Sequence, residues 1–166
     1  MRYRLIIMVI LLAAGKHTFA QSFSATNMRT ASIGSVYVFT KVDNTSNNLN
    51  FTTVAQIADA ISITNFSTFS VKSNVPWVFS ASSATANFLG VGVYASLNMP
   101  ASVLSLVVPG QTSRALSTTN QTLTTGTRGN SSVTGNTFSL DLTAAPGFSY
   151  GPGSYSIEIK YTLTAL

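Results

Sequence analysis

The side chains that could do chemistry in this chain are few and far apart. Asp43, Asp59, Asp141 and Glu158 are its only carboxylates, no cysteine occurs, and the single histidine is His17. A pair of carboxylates could cleave a glycosidic bond, but Asp141 and Glu158 are expected on the polar faces of two strands. There they would meet each other or Lys160, with nothing to mark one as acid and the other as base. Hydroxyl nucleophiles abound, yet beyond the first twenty residues no imidazole could activate one, and no G-x-S-x-G turn occurs. Ser73 beside Lys72 fails as a dyad because neighbours on a strand point to opposite faces. Asp43 with Asn44, Asn47 and Asn48 offers oxygen ligands to calcium, but one carboxylate carries too little charge for a tight site, and a turn is the expectation. An enzyme is not expected, nor a catalytic residue, metal site or cofactor.

The aromatic residues are the remaining candidates for a ligand site. Trp77, flanked by Val75, Val78 and Phe79, could stack on a sugar but is expected to plug the core. Tyr94, Tyr150, Tyr155 and Tyr161 could form a glycan-binding face, but Tyr155 and Tyr161 fit the inward row of the last strand. Tyr150 sits in a Gly/Pro-rich turn and is the one tyrosine expected to be exposed for ligand contact. Asn-x-Ser/Thr triplets begin at Asn44, Asn50, Asn65, Asn120 and Asn130, as expected by chance in a chain this rich in Asn, Ser and Thr.

The amino end predicts export. Arg2 and Arg4 precede an unbroken apolar run from Leu5 to Ala14, and Thr18-Phe19-Ala20 supplies a small-x-small ending. This is the pattern of a signal peptide over residues 1–20, cleaved after Ala20, and the apolar run is about half of what a bilayer helix needs. Losing Arg2, Arg4 and Lys16 would take the formal charge from +5 to +2 and remove His17. The surviving Arg29, Lys41, Lys72, Arg114, Arg128 and Lys160 form no cluster, so nucleic acid is not an expected partner. No transmembrane anchor is expected after cleavage.

Positioning falls to strands. Residues 21–166 suit one domain, large enough to hold a core without disulfides. Apolar residues recur at strand spacing, and no long stretch has a 3.6-residue period. Val36 to Val42 is rich in β-branched and aromatic residues, and the Asn-rich stretch after it reads as a turn. Leu49 alternates with Phe51, and residues 55–60 could make one helical turn. Ile61 and Ile63, Phe69 and Val71, then Trp77 and Phe79 alternate with polar residues, with a turn at Ser73-Asn74. Val91, Val93 and Ala95 suggest another strand, and Val103 to Val108 a buried one. Residues 111–136, dense in Thr, Ser and Gly, read as a long loop or a polar edge hairpin with a strand near Gln121–Thr125. Phe138, Leu140 and Leu142 alternate cleanly. The longest pattern is last: Tyr155, Ile157, Ile159, Tyr161 and Leu163 alternate with Ser156, Glu158, Lys160, Thr162 and Thr164, the signature of a half-buried antiparallel strand. The fold class is therefore all-β, an antiparallel β-sandwich, with a closed barrel as second choice.

Two segments resemble known families. The run from Pro152 to Thr164, a Pro-Gly-x-Tyr turn leading into an alternating strand, is similar to the last strand of bacterial pilin-like and spore-coat-protein-U-like secreted domains. Phe69-Ser70-Val71-Lys72-Ser73-Asn74-Val75-Pro76-Trp77 is similar to the V-x-S-N-x-x-W pattern of small immunoglobulin-like domains in bacterial surface proteins. The resemblance implies an immunoglobulin-like or pilin-like sandwich, with assembly by strand pairing and a periplasmic chaperone among the partners. The cysteine pair of many pilins is absent.

These features predict an exported structural or adhesive protein, a pilus, fibre or coat subunit, whose partners are copies of itself or other surface and secreted proteins. It would lie in the periplasm, at the cell surface or outside the cell. Pairing through a strand edge uses backbone groups and needs no reactive side chain. The terminal strand, through Tyr155, Ile157, Ile159, Tyr161 and Leu163, or the segment Gln21–Thr30, through Phe23 and Ala25, would supply that edge. The alternative is a carbohydrate-binding module whose partners are glycans, held by Tyr150, Trp77 and neighbouring Asn side chains.

Overall fold

The computed structural model describes residues 33–45 and 48–166. The leader, Phe23, Ala25 and Asn47 lie outside the described residues. Tyr37–Asp43 forms β1, and Val54–Asp59 a short helix, α1, capped by the Thr53 hydroxyl and the reciprocal Gln56 side chain. Ile61–Ser73 is β2, Trp77–Ser83 β3, Leu89–Val91 β4, Leu104–Val107 β5 and Arg114–Ala115 β6. Gln121–Gly126 is β7, Thr137–Ala144 β8, Ser154–Ser156 β9 and Ile159–Ala165 β10.

The chain is all-β and sandwich-like, with open antiparallel sheets and no closed barrel. The larger sheet runs β1-β2-β8-β5-β6, the second β10-β3-β7, and β4 pairs with β9 in a separate ribbon. Gly34–Leu166 pack as one unit. The alternation read from the sequence faces inward as expected. Phe69 and Val71 of β2, Trp77 and Phe79 of β3, Leu104 and Leu106 of β5, and Phe138, Leu140 and Leu142 of β8 are all buried. Phe69 sits at the centre, its ring 4.7 Å from Phe79 and 5.7 Å from Phe138. Trp77 is fully buried, and its indole N–H donates to the Thr127 carbonyl at 3.1 Å. Gly126 lies opposite it across the ladder; a Cβ there would stand 2.1 Å from the indole ring, so only glycine fits. Between β2 and β8 exposed hydroxyls bond across the strands, Ser62 to Thr143 at 2.8 Å and Ser70 to Thr137 at 3.3 Å, whereas Ser80, Ser82 and Ser83 of β3 are buried.

Several elements depart from expectation. Ile61–Ile63 and Phe69–Val71 belong to one strand, interrupted by a bulge in which residues 64–66 face Asp141 alone. Asn65 takes a φ of 51° there, and its N–H donates to the Asp141 carboxylate at 2.7 Å. Asp141 therefore pins a bulge, not Glu158 or Lys160. The strand expected near Gln121–Thr125 in the polar stretch 111–136 is β7, but it is not half of a hairpin. β6 pairs with β5 in the larger sheet and β7 with β3 in the smaller one, so the chain crosses between them. At the crossing, the Leu116 N–H donates to the Leu104 carbonyl and the Ser83 N–H to the Ser117 carbonyl, at 2.8 and 2.7 Å. Leu49 and Phe51 pack on the core from irregular backbone. The strand expected over Val91, Val93 and Ala95 stops at Val91: Gly92 adopts a φ of 142° and its carbonyl accepts from the Ala95 N–H, turning the chain.

The terminal strand is the largest departure. It is cut at Ile157-Glu158, because its two halves pair with different partners. Tyr155 lies opposite Gly90 of β4, whereas Ile159 lies opposite Ser83 and Ala165 opposite Trp77 of β3.

Candidate assembly edge

Two strand edges are left without a backbone partner on the same side of the sandwich. β1 ends the order of the larger sheet and β10 that of the smaller one, and no described strand pairs with their outer sides. Capping bonds define which groups point outward. The Asn44 N–H donates to the Phe66 carbonyl at 3.1 Å and the Asn74 N–H to the Val36 carbonyl at 3.0 Å. Even-numbered residues of β1 therefore bond β2, and the alternation of an antiparallel ladder turns the N–H and C=O of Tyr37, Phe39, Lys41 and Asp43 away from the sheet. The same reasoning holds for β10. The Leu166 N–H donates to Pro76 at 2.9 Å and the Ala84 N–H to Glu158 at 3.0 Å, so Ile159, Tyr161, Leu163 and Ala165 present the unpaired groups.

The same residues carry the side chains that face the core. Phe39, Ile159, Tyr161 and Leu163 are half-buried and pack against it. The Tyr161 ring lies 4.9 Å from Phe69 and is stacked on Phe79 at 5.8 Å, and Phe39 meets Phe79 edge-on at 5.6 Å. The seam between β1 and β10 is thus apolar beneath, and among the described residues its backbone is bare along both lips.

Charge sits at one place on the seam. Lys41 follows Phe39 on the inward face of β1; its Nζ lies 5.8 Å from the Tyr161 ring centroid and pairs with the Asp43 carboxylate. Asp43 also accepts from the Ser67 hydroxyl at 2.7 Å. Lys41, and then Ser67, hold the Asp43 carboxyl below its ordinary value of 3.8. Burial, with a smaller contribution from the Asp43 charge, pushes Tyr161 up to about 12. Near neutrality Asp43 is ionised and Tyr161 protonated, so neither is poised to exchange a proton. An inward-pointing charge on an edge strand is a device that discourages indiscriminate pairing and admits a strand only in a register that accommodates it.

Of the expected edge residues, Ile159, Tyr161 and Leu163 line this seam. Tyr155 is elsewhere: its hydroxyl accepts from the Ser96 N–H at 2.9 Å and donates to the Gly151 carbonyl, locking β9 to a neighbouring loop. Ile157 lies at the break between β9 and β10 and packs on the core. Tyr150 is half-buried on the core, and the exposed turn tyrosine is Tyr94, at 74%. Trp77, wholly enclosed, offers no stacking face. Asn44 holds the β2 bulge through Asn65 and Thr68, so the Asp43-Asn44 turn is a structural tie. β1 as a free edge was missed. The available signal was Lys41, which breaks the apolar row in phase with Phe39.

No protein-family model matches this chain, and no curated protein matches its sequence.

Proposed function

We propose that the protein is an exported structural or adhesive subunit that joins copies of itself, or other surface proteins, through the open edges of β1 and β10. What supports this reading is that, among the described residues, no strand pairs with the outer edges of β1 and β10, while half-buried apolar side chains line the same seam. An added strand would complete a hydrogen-bond ladder and cover Phe39, Tyr161 and Leu163 at once. Exposed edges of this kind are normally blocked or covered, because they template association. The segment Gln21–Thr30, with Phe23 and Ala25 alternating, is one source of the strand and lies outside the described residues.

The test is the assembly state of the full chain, expressed in a bacterial host with an intact export pathway and imaged over a concentration series. Oligomers or fibres are expected. Lys41→Pro removes an outward N–H without removing a ladder bond, and it should suppress assembly, whereas Lys41→Gln should assemble. A wild-type protein that stays monomeric at every concentration, or a Lys41→Pro variant that assembles normally, overturns the reading. Deleting residues 21–30 separates the sources: assembly is lost if that segment is the donated strand and retained if β10 is the donor.

A further inference from the structure

The cut in the terminal strand leaves two charges on a bare edge. Glu158 and Lys160 stand two residues apart, one just before β10 and one within it, and both side chains are exposed. The Glu158 carbonyl accepts from the Ala84 N–H at 3.0 Å and Lys160 lies opposite Ser82, so both keep the alternation of β10 and share the outer face of its sheet. Among the described residues the one ion pair joins Lys41 to Asp43, so neither Glu158 nor Lys160 is ion-paired within its own copy.

The residues between and beside them face the other way. Ile157, Ile159 and Tyr161 are half-buried and pack on the core, and Ile159 and Tyr161 turn their backbone N–H and C=O away from the sheet. A strand that adds here therefore meets an apolar row on its inner face and an acid-x-base row on its outer face. Charges on an edge deter a strand that does not match them. The order of the two charges sets what does match.

The same stretch of a second copy matches it. Laid antiparallel about a two-fold axis at Ile159, each Glu158 falls opposite the Lys160 of the other copy, which gives cross-strand ion pairs on both sides of the axis. Ile159 then faces its own counterpart and Ile157 faces Tyr161 of the second copy, so every inward contact is apolar. Ile159 sits where an antiparallel pair exchanges both backbone bonds. Sliding the copies by two residues either way sets Glu158 against Glu158 or Lys160 against Lys160, and a slide of one residue turns the inward row outward. Parallel pairing in register also stacks like charge on like. We infer, on the edge-pairing reading above, that β10 pairs with β10 of a second copy in this one register, selected by Glu158 and Lys160. A neutral strand forms the same backbone bonds but leaves both charges unmatched. A two-fold contact closes on itself, so it yields pairs of subunits and leaves β1 for further growth.

Sedimentation of the full chain over a concentration series tests this, with Glu158→Lys and Lys160→Glu made singly and together. Both sites are exposed, so the fold should be retained and the far-ultraviolet spectrum unchanged. Each single change sets like charges opposite, and the expected result is a roughly tenfold or greater rise in the concentration at which pairs of subunits form. Mixing the two single variants in equal amounts, or combining both changes in one chain, restores opposite charges and should return pairing to within about threefold of wild type. Lys41→Pro, which blocks the other edge, should still form pairs. Single variants that pair like wild type, or a mixture or double variant that stays apart, overturn the inference and leave strand-edge assembly standing. Loss of pairs in Lys41→Pro also overturns it. A wild-type chain that is monomeric at every concentration overturns both.

Discussion

The two long sides of this sandwich are built from similar strands and differ in one respect. On the β6–β7 side the chain crosses from sheet to sheet at Leu116-Ser117, and its backbone bonds to Leu104 in one and Ser83 in the other. Leu116 is 1% exposed at that crossing. On the β1–β10 side no described segment crosses, and Phe39, Tyr161 and Leu163 are left half-buried. Neither side is distinguished by reactive chemistry. What separates them is a covalent crossing from sheet to sheet on the β6–β7 side, with none among the described residues on the β1–β10 side, although β7, like β10, ends its sheet. A protein this poor in functional groups can still recognise a partner, because backbone left unpaired is a binding group in its own right.

The comparison breaks most readily at the closed side. Leu116→Ala should cost about 2–5 kcal/mol, as for a fully enclosed leucine, while Leu163→Ala on the open side should cost about 1 kcal/mol because it is already part-solvated. Urea unfolding of the two variants measures the difference, and equal losses would mean the two sides are packed alike.

The next effect concerns Tyr161. Its folded value is pushed up to about 12, so its contribution to stability is complete below the unfolded value near 10 and is lost as pH rises through 12. Tyr161→Phe should flatten the alkaline limb of the stability curve by about 2 kcal/mol. Tyrosinate absorbance in the folded protein should show one late-titrating group, and its absence would place the open seam in water.

A smaller change is expected at the bulge. Asp141→Ala frees the Asn65 N–H and should cost about 1 kcal/mol, given that the carboxylate is only half-buried. Slowed amide exchange at Asn65 that persists in the variant would show that the bulge holds without it.

The smallest sharpens the role of charge at the open lip. Asp43 is held low in the folded state, so its contribution is present above the unfolded value and disappears as pH falls through the folded one. Asp43→Asn should remove a few tenths of a kcal/mol of acid sensitivity at low salt, since this pair is exposed. A loss of assembly in Asp43→Asn at neutral pH, with stability unchanged, would show that the Lys41–Asp43 pair sets the register of the incoming strand.

Much of the sandwich was legible in the residue pattern, and the errors share a cause. Phe138, Leu140 and Leu142 read as an inward row and are one. Trp77 read as a core plug and is one. The terminal row from Tyr155 to Leu163 read as a single strand, and every one of its side chains does face the core, but the backbone changes partner at Ile157-Glu158. Alternation records which face a side chain takes and is silent about which strand lies beside it. The turn at Gly92 was invisible for a related reason: Val91 and Val93 read as one strand, yet the chain turns between them and both remain in solvent.

The sequence by itself determined that this chain forms strands, which side chains face inward, and that it carries almost no reactive groups, because the pleat ties side-chain direction to parity and composition is counted directly. Only the tertiary structure decided which edges stay unpaired, where the last strand is cut, and which apolar residues remain in solvent. Those depend on contacts between residues distant in the chain, and no local period encodes them.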